Sequence, residues 1–329
     1  MNRYEPPYEI TNQMLSTVAD ISEKLGMIAV FRSLDAKPQL RRNNRIRSVH
    51  SSLKIESSSL SEGMVRSVLN NRSVIGPEKE VQEVKNAFAA YDRIGSVDPY
   101  SLKDLKELHG IMTRSTVEES GIFRRGAEGV FDGDRCIFMA PPPELVSLLM
   151  EQLFSWMRRS SKTVHPLILS CVFHYEFVFI HPFSDGNGRM ARLWQTVLLA
   201  DWNPAFQYIP LESRIERFQD GYYNAIAACH VKGSSTEFIE FMLARISEVL
   251  DDVLAQSRDE ADSSEYVQRL LNAMEYDTAY TAAALLERLQ LRSREALRRN
   301  YLDPALEAGL IEMTLPDKPS SRNQRYRKK

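Results

Sequence analysis

The sequence predicts a mainly α-helical protein carrying one small β-hairpin and ending in a helix-turn-helix with a two-stranded wing. Three observations carry that prediction. Apolar residues recur at three- and four-residue spacing at Met14, Leu15, Val18, Ile21, Leu25 and Ile28, and again at Val81, Val84, Phe88 and Tyr91, so both segments read as amphipathic helices. In GVFDGDRCIFMAPPP that period is broken. Asp132-Gly133 stands between Val130-Phe131 and Cys136-Ile137-Phe138, the strongest short signal for a hairpin. Near the end, Tyr280 to Gln290, a turn at Leu291 to Ser293 and Arg294 to Ala308 spell helix, turn, helix. Gly309 follows, and segments 310–314 and 324–327 can pair as a wing.

Further helical patterns fall near 100–114, 143–158, 164–180, 187–201, 212–230 and 235–255. With 329 residues, 43% hydrophobic and 26% charged, the chain can bury a large core and holds two domains. A formal net charge of -2 supplies no global attraction for nucleic acid or an anionic membrane, so such a partner needs a local patch. Cys136, Cys171 and Cys229 are odd in number and form no C-x-x-C pair, which points to a reducing cytoplasm. MNRYEPPYEITNQML has neither a basic start nor an apolar h-region, and no secretory signal is expected. The most apolar stretch, Leu167 to Ile180, is interrupted by His174 and Glu176 and is too short to span a bilayer. A soluble protein without membrane contact is expected.

The chemistry concentrates in HPFSDGNGRMAR, His181 to Arg192. An imidazole titrates near neutrality, so His181 is a candidate general base. Asp185 offers the hard oxygen that Mg2+ accepts alongside substrate phosphates. Gly186 and Gly188 lack Cβ and let backbone N–H groups approach an anion around Asn187. RMARLWQTVLLA holds no breaker, so the loop opens a helix whose N-terminus favours phosphate. Arg189 and Arg192, three apart, share a face and can clamp phosphate oxygens.

This stretch resembles the Fic family signature H-x-F-x-[DE]-G-N-G-R-x-x-R at every specified position, and the resemblance covers roughly residues 40 to 256. It implies a Fic-type helical core that transfers AMP from ATP, with Mg2+, to a hydroxyl side chain of a target protein. On that basis His181 is the base and Asp185 the metal ligand. Gly186, Asn187, Gly188, Arg189, Met190, Ala191 and Arg192 form the nucleotide-binding run, and Phe183 packs inward. The related Doc branch, a kinase, carries Lys where this chain has Gly188, so nucleotidyl transfer is favoured. The hairpin matches the family's flap, with Val130, Phe131, Asp132 and Gly133 expected to hold a target segment by strand pairing. Gly121-Ile122-Phe123-Arg124 resembles the pattern ahead of that flap.

HSSLKIESSSL, His50 to Leu60, resembles the family's inhibitory motif [ST]-x-x-x-E-[GN]. Ser52 and Glu56 lie at i,i+4, and the resemblance implies that Glu56 pairs with Arg192 and blocks the γ-phosphate. Ser57 departs from the usual Gly or Asn and is a poorer left-handed former. Tyr222 and Tyr223 resemble the paired tyrosines of the adenine pocket, where an aromatic face can stack on a purine.

The expected division is a helical region 1–110 with the inhibitory helix near 45–60, a catalytic core 111–256, a linker 257–265 in the polar run SRDEADSSE, and a winged-helix module 266–329. That module is locally basic, through Arg294, Arg298, Arg299, Arg322, Arg325, Arg327, Lys328 and Lys329, and can read DNA or serve protein contacts. The alternative function is accordingly a DNA-binding regulator or docking protein whose Fic site senses nucleotide. Removal of AMP with Glu56 orienting a water, self-modification and assembly into a homo-oligomer stay open.

Overall fold

A computed structural model describes residues 4–30, 38–132, 135–261, 265–276, 278–319 and 321–328. The chain divides into two compact units, one of residues 1–23 and 44–250 and the other of residues 24–43 and 251–329. Helices α1 (Asn12–Val30), α2 (Pro38–Ile55), α3 (Glu62–Leu69) and α4 (Glu78–Tyr91) come first. They are followed by α5 (Leu102–Met112), the hairpin β1 (Gly129–Asp132) and β2 (Arg135–Met139), α6 (Pro143–Ser160), α7 (Pro166–Ile180) and α8 (Asn187–Trp202). Then come α9 (Leu211–Arg217), α10 (Gln219–Lys232) and α11 (Thr236–Ala261). The core of the first unit is the α7–α8 pair. Leu167, Val172, Phe173 and Phe177 of α7 and Leu193, Trp194 and Leu199 of α8 are all buried, and Phe154 of α6 sets its ring edge-on to Phe173 at 5.9 Å.

A helix apolar on every face belongs inside a protein, and α7 is one. Its two polar interruptions are both satisfied. The ring nitrogens of His174 lie 2.6 Å from Gln195 Oε1 and 2.9 Å from the Tyr222 hydroxyl. Glu176 accepts a hydrogen bond from the Tyr4 hydroxyl on the N-terminal segment, and that segment is tied down again where Ser235 N–H donates to Pro7 O.

Helix ends follow local chemistry. His165 caps α7 by accepting from the Leu167 N–H, with Pro166 at the first helical position, where its missing donor costs nothing. Ser61 and Ser101 cap α3 and α5 in the same way. The helix expected over 212–230 is two. Phe218 leaves helical angles (φ -116°, ψ 37°) between α9 and α10 and lays its ring under the Arg245 guanidinium, 4.1 Å away. The linker expected at 257–265 is helical through Ala261. Its Arg, Glu and Ala are good helix formers, and no Gly or Pro stops the run, so polarity alone did not mark a break. The division between units falls at Leu250/Asp251 instead.

The second unit contains α12 (Glu265–Ala273), β3 (Tyr280–Thr281), α13 (Ala282–Arg288), α14 (Arg294–Leu297), one π-helical turn, α15 (Asp303–Glu307), β4 (Ile311–Met313) and β5 (Arg325–Lys328). The three strands form one antiparallel sheet in the order β3-β5-β4, with Met313 opposite Tyr326. The sequence leads one to expect a two-stranded wing and one helix over Arg294 to Ala308; here β3 joins the sheet as a third strand and the π-helical turn divides that helix. Leu270, Leu285, Leu297, Tyr301 and Ile311 bury a core beneath it. Among the described residues no helix is long and apolar enough to cross a membrane.

Burial raises the Glu176 pKa to about 7, with the Tyr4 hydrogen bond opposing. A raised carboxyl contributes stability while protonated and loses it as pH climbs from about 4.5 through 7. Glu176→Gln keeps an acceptor for Tyr4 and cannot ionise. Denaturant titration should therefore find it as stable as the parent chain at pH 5 and more stable at pH 8, by about 1 to 3 kcal/mol. Equal midpoints at pH 8 would mean that Glu176 is ionised at no cost.

Candidate active site

The site is the loop between α7 and α8. His181 ends α7 in the left-handed region (φ 51°, ψ 60°), a conformation that costs a side-chain-bearing residue about 1 to 2 kcal/mol. Its N–H still bonds to Phe177 O at 3.0 Å. The ring Nδ1 lies 3.3 Å from Val178 O; a carbonyl only accepts, so Nδ1 carries the proton and Nε2 keeps the lone pair. Burial moves the His181 pKa below the ordinary 6.5, so the neutral ring prevails near pH 7. This is the protonation state a general base needs.

Phe183 anchors the loop, fully buried, with its ring stacked on His109 at 3.6 Å. His109 in turn places Nε2 3.0 Å from the Asp185 carbonyl and accepts the Gly121 N–H on Nδ1 at 2.9 Å. Burial pushes its pKa down to about 4, so the ring stays neutral and can serve both partners.

Gly186 caps α8 at φ 81°, where Thr113 stands 3.2 Å from the position a Cβ would take. The first amides of α8, at Asn187, Gly188 and Arg189, have no carbonyl one turn back within the helix, at the place where the sequence leads one to expect an anion nest. The side chain of Asn187 is engaged within the loop. Its Oδ1 accepts from Phe183 N–H at 2.9 Å and its Nδ2 donates to Phe183 O at 2.7 Å, so only its backbone N–H remains for an anion. Met190 and Ala191, expected in the same run, lie on the inner side of α8. Both are fully buried, because each residue rotates the helix by about 100° and these two face the core.

Each of the two arginines already has anionic company. Arg192, 1% exposed, donates from Nη2 to Glu56 Oε1 at 2.7 Å and to Ser52 O at 3.0 Å, and from Nε to Ser52 Oγ at 3.2 Å. Among the described residues its Nη1 is buried without a geometric hydrogen-bond partner. Arg189 donates to Asp185 Oδ1 at 3.0 Å and to Glu83 Oε1, from α4, at 3.2 Å, while its buried Nε is unpartnered. A Cβ on Gly188 would meet the Glu56 carboxylate and stand 3.1 Å from Arg192 Nη1, so a side chain here would push the Glu56 carboxylate aside.

Glu56 sits one residue beyond α2. Ser58 N–H bonds to Leu53 O at 3.1 Å and Ser57 N–H to Lys54 O at 2.9 Å, the paired bonds of a left-handed helix stop, with Ser57 at φ 69°. Ser57 thus occupies the conformation that glycine enters freely.

A cavity of about 600 Å³ opens beside His181, Gly188 and Arg192. It is walled by Tyr222, Tyr223, Ile226 and His230 of α10 and by Phe138 of β2. Tyr222 is buried and Tyr223 is 45% exposed, their rings meeting edge to face at 5.2 Å. The hairpin pairs Gly129 with Met139 and Val130 with Phe138, with an irregularity before Phe131, and carries Asp132 at the end of β1. Gly133 lies outside the described residues.

A mainly helical unit with a glycine-flanked helix start, an imidazole with a free lone pair and two buried guanidiniums defines the class. The family model described as Fic/DOC family matches residues 99–199. A second, described as Filamentation induced by cAMP protein Fic-like, C-terminal domain, matches 265–328. A solved structure of a Fic family protein from Desulfovibrio desulfuricans G20 is 39% identical, covers 99% of this chain and 98% of that one, and superposes with a TM-score of 0.74. This chain belongs to the Fic family. It is also 27% identical over 249 residues to the protein adenylyltransferase Fic of Drosophila melanogaster, covering 72% of this chain and 48% of that protein. To the protein of the same name from Aedes aegypti it is 32% identical over 163 residues, covering 47% and 32%. The chain thus spans about half the length of the Drosophila relative and a third of the Aedes one.

Glu83, His109 and Arg124 touch the motif from afar, 106, 76 and 57 residues away in sequence, and no local spacing announces them. The left-handed stop has a direct consequence. Ser57→Gly should raise stability by about 0.5 to 1 kcal/mol without moving Glu56, whereas Ser57→Val should lower it by more than about 1 kcal/mol. Thermal midpoints of the two variants, compared with the parent, give the answer.

Proposed function

We propose that the chain transfers AMP from ATP to a hydroxyl side chain of a target protein, and that Glu56 holds it inhibited. The observation that carries the reading is Arg192. A guanidinium 1% exposed, with one nitrogen unpartnered among the described residues, beside Gly188 and an apolar, aromatic-walled cavity, suits a phosphate at one end and a purine at the other. The name of the Drosophila and Aedes relatives, protein adenylyltransferase, agrees with that chemistry.

In the reaction, His181 Nε2 takes the proton of the target hydroxyl as its oxygen attacks the α-phosphorus. One O–P bond forms, the bond to the bridging oxygen breaks, and pyrophosphate leaves with the electron pair. The amides of Asn187, Gly188 and Arg189 and the α8 N-terminus hold the phosphate oxygens, so catalysis rests on positioning and electrostatics. Asp185 would hold Mg2+. Its side chain is 43% exposed, and only Oδ1 is engaged, by Gly186 N–H and Arg189. When bound, Mg2+ neutralises phosphate charge. The hairpin would align the target by adding its segment as a strand.

Inhibition follows from competition for one guanidinium. While Glu56 occupies Arg192, a γ-phosphate must displace a buried charge-assisted bond. Glu56→Gly should therefore label itself from α-labelled ATP well above the parent rate, and Glu56→Gly with His181→Ala should fall by about 10^2 to 10^4 from there. Equal labelling by parent and Glu56→Gly would remove the inhibitory role. The base must be neutral to act, and burial lowers its pKa, so activity lost on acidification should disappear through a midpoint below 6.5. A pH profile of the Glu56→Gly chain with its acid limb above that value would point to another base.

A further inference from the structure

Arg124 is a buried guanidinium, 3% exposed, that forms no ion pair among the described residues. Every hydrogen-bond acceptor its guanidinium has among the described residues is a backbone carbonyl. Nε donates to His181 O at 2.7 Å, Nη1 to Gly126 O at 2.7 Å, and Nη2 to Pro141 O at 2.6 Å and Ile180 O at 3.4 Å. Its own N–H donates to Pro182 O at 2.9 Å. These carbonyls belong to three separate segments. Gly126 precedes β1 and Pro141 follows β2, so they are the two feet of the hairpin, which Ala140 N–H closes on Glu128 O at 3.0 Å. Ile180 and His181 end α7, where carbonyls lack partners and the helix dipole favours a cation.

A single planar fork thus ties the hairpin's feet to the backbone of the left-handed residue bearing the imidazole. We infer that Arg124 is a positioning residue for the reaction proposed above, fixing the hairpin and His181 as one rigid unit so that a strand paired to the hairpin meets the base at a set distance. The inference rests on that reading. The geometry requires an arginine: five donors in a fixed plane reach carbonyls from three segments, whereas the single nitrogen of lysine keeps the charge and loses the span.

The test compares Arg124→Lys with arginine, both in the full-length Glu56→Gly chain. Hydrogen exchange followed by mass spectrometry should show peptides from 126–141 and 180–187 exchanging faster together, with α6 and the second unit unchanged. The apparent KM for ATP in self-labelling should stay within about twofold, while kcat falls by about 10- to 100-fold, the cost of misplacing reacting groups by about 1 Å. Unchanged exchange in both segments, faster exchange in one alone, or a uniform rise across the core with ATP binding lost in proportion would overturn the proposal. If Arg124→Lys does not fold, the denaturant dependence of exchange in the chain with arginine decides instead. The amides of Ala140, Arg124 and His181 should open as one unit, and independent opening would refute the link. If Glu56→Gly itself never labels, the AMP-transfer reading has failed, and the exchange data alone judge Arg124.

Discussion

A guanidinium buried to 1% exposure must have anionic or carbonyl company, and much of the first unit is arranged around meeting that requirement at Arg192. One carboxylate, one hydroxyl and one carbonyl meet it, all from the end of α2, and one nitrogen is left over. The position of that end is itself determined by the left-handed stop at Ser57, which turns the chain immediately after Glu56. Burying Arg192 alone would lower its pKa, but Glu56, with Tyr222 and Tyr91 behind it, more than reverses that and keeps the cation. An incoming anion therefore meets a charged guanidinium that already has a partner.

The neighbouring arginine repeats the arrangement with different carboxylates. Glu83 reaches Arg189 from α4 and Asp185 reaches it from one turn back, so each guanidinium is bonded to acid on a different element. The pair also has a shared constraint in Gly188, whose missing Cβ leaves the gap between Glu56 and Arg192.

Much of this was legible in the sequence because it is local. The motif's twelve residues, the hairpin and the amphipathic helices obey short-range rules of spacing and turn chemistry, and the i,i+4 relation of Ser52 and Glu56 survives although Glu56 stands just past the helix. What stayed hidden was which atoms are already engaged. Residue type alone made Asn187 a phosphate ligand; the fold ties both ends of its amide to Phe183. Met190 and Ala191 were counted with the nucleotide run because contiguity in sequence hides helical rotation. His109, Glu83 and Arg124 were illegible as neighbours of the motif because tertiary packing, not periodicity, brings them there. The polar run at 257–261 looked like a break and is a helix, since solubility and helix propensity are separate properties.

The two hydrogen bonds between Asn187 and Phe183 close a small ring through side chain and backbone, with the buried Phe183 ring as its keel. A loop cross-linked to itself in this way has little conformational freedom left to surrender when a ligand arrives. The entropic penalty of shaping the nest was met during folding, not at encounter. Under the proposed function, the rate of nucleotide capture would be governed less by loop ordering than by how often one carboxylate swings away from one guanidinium, a gated approach to an otherwise preformed loop.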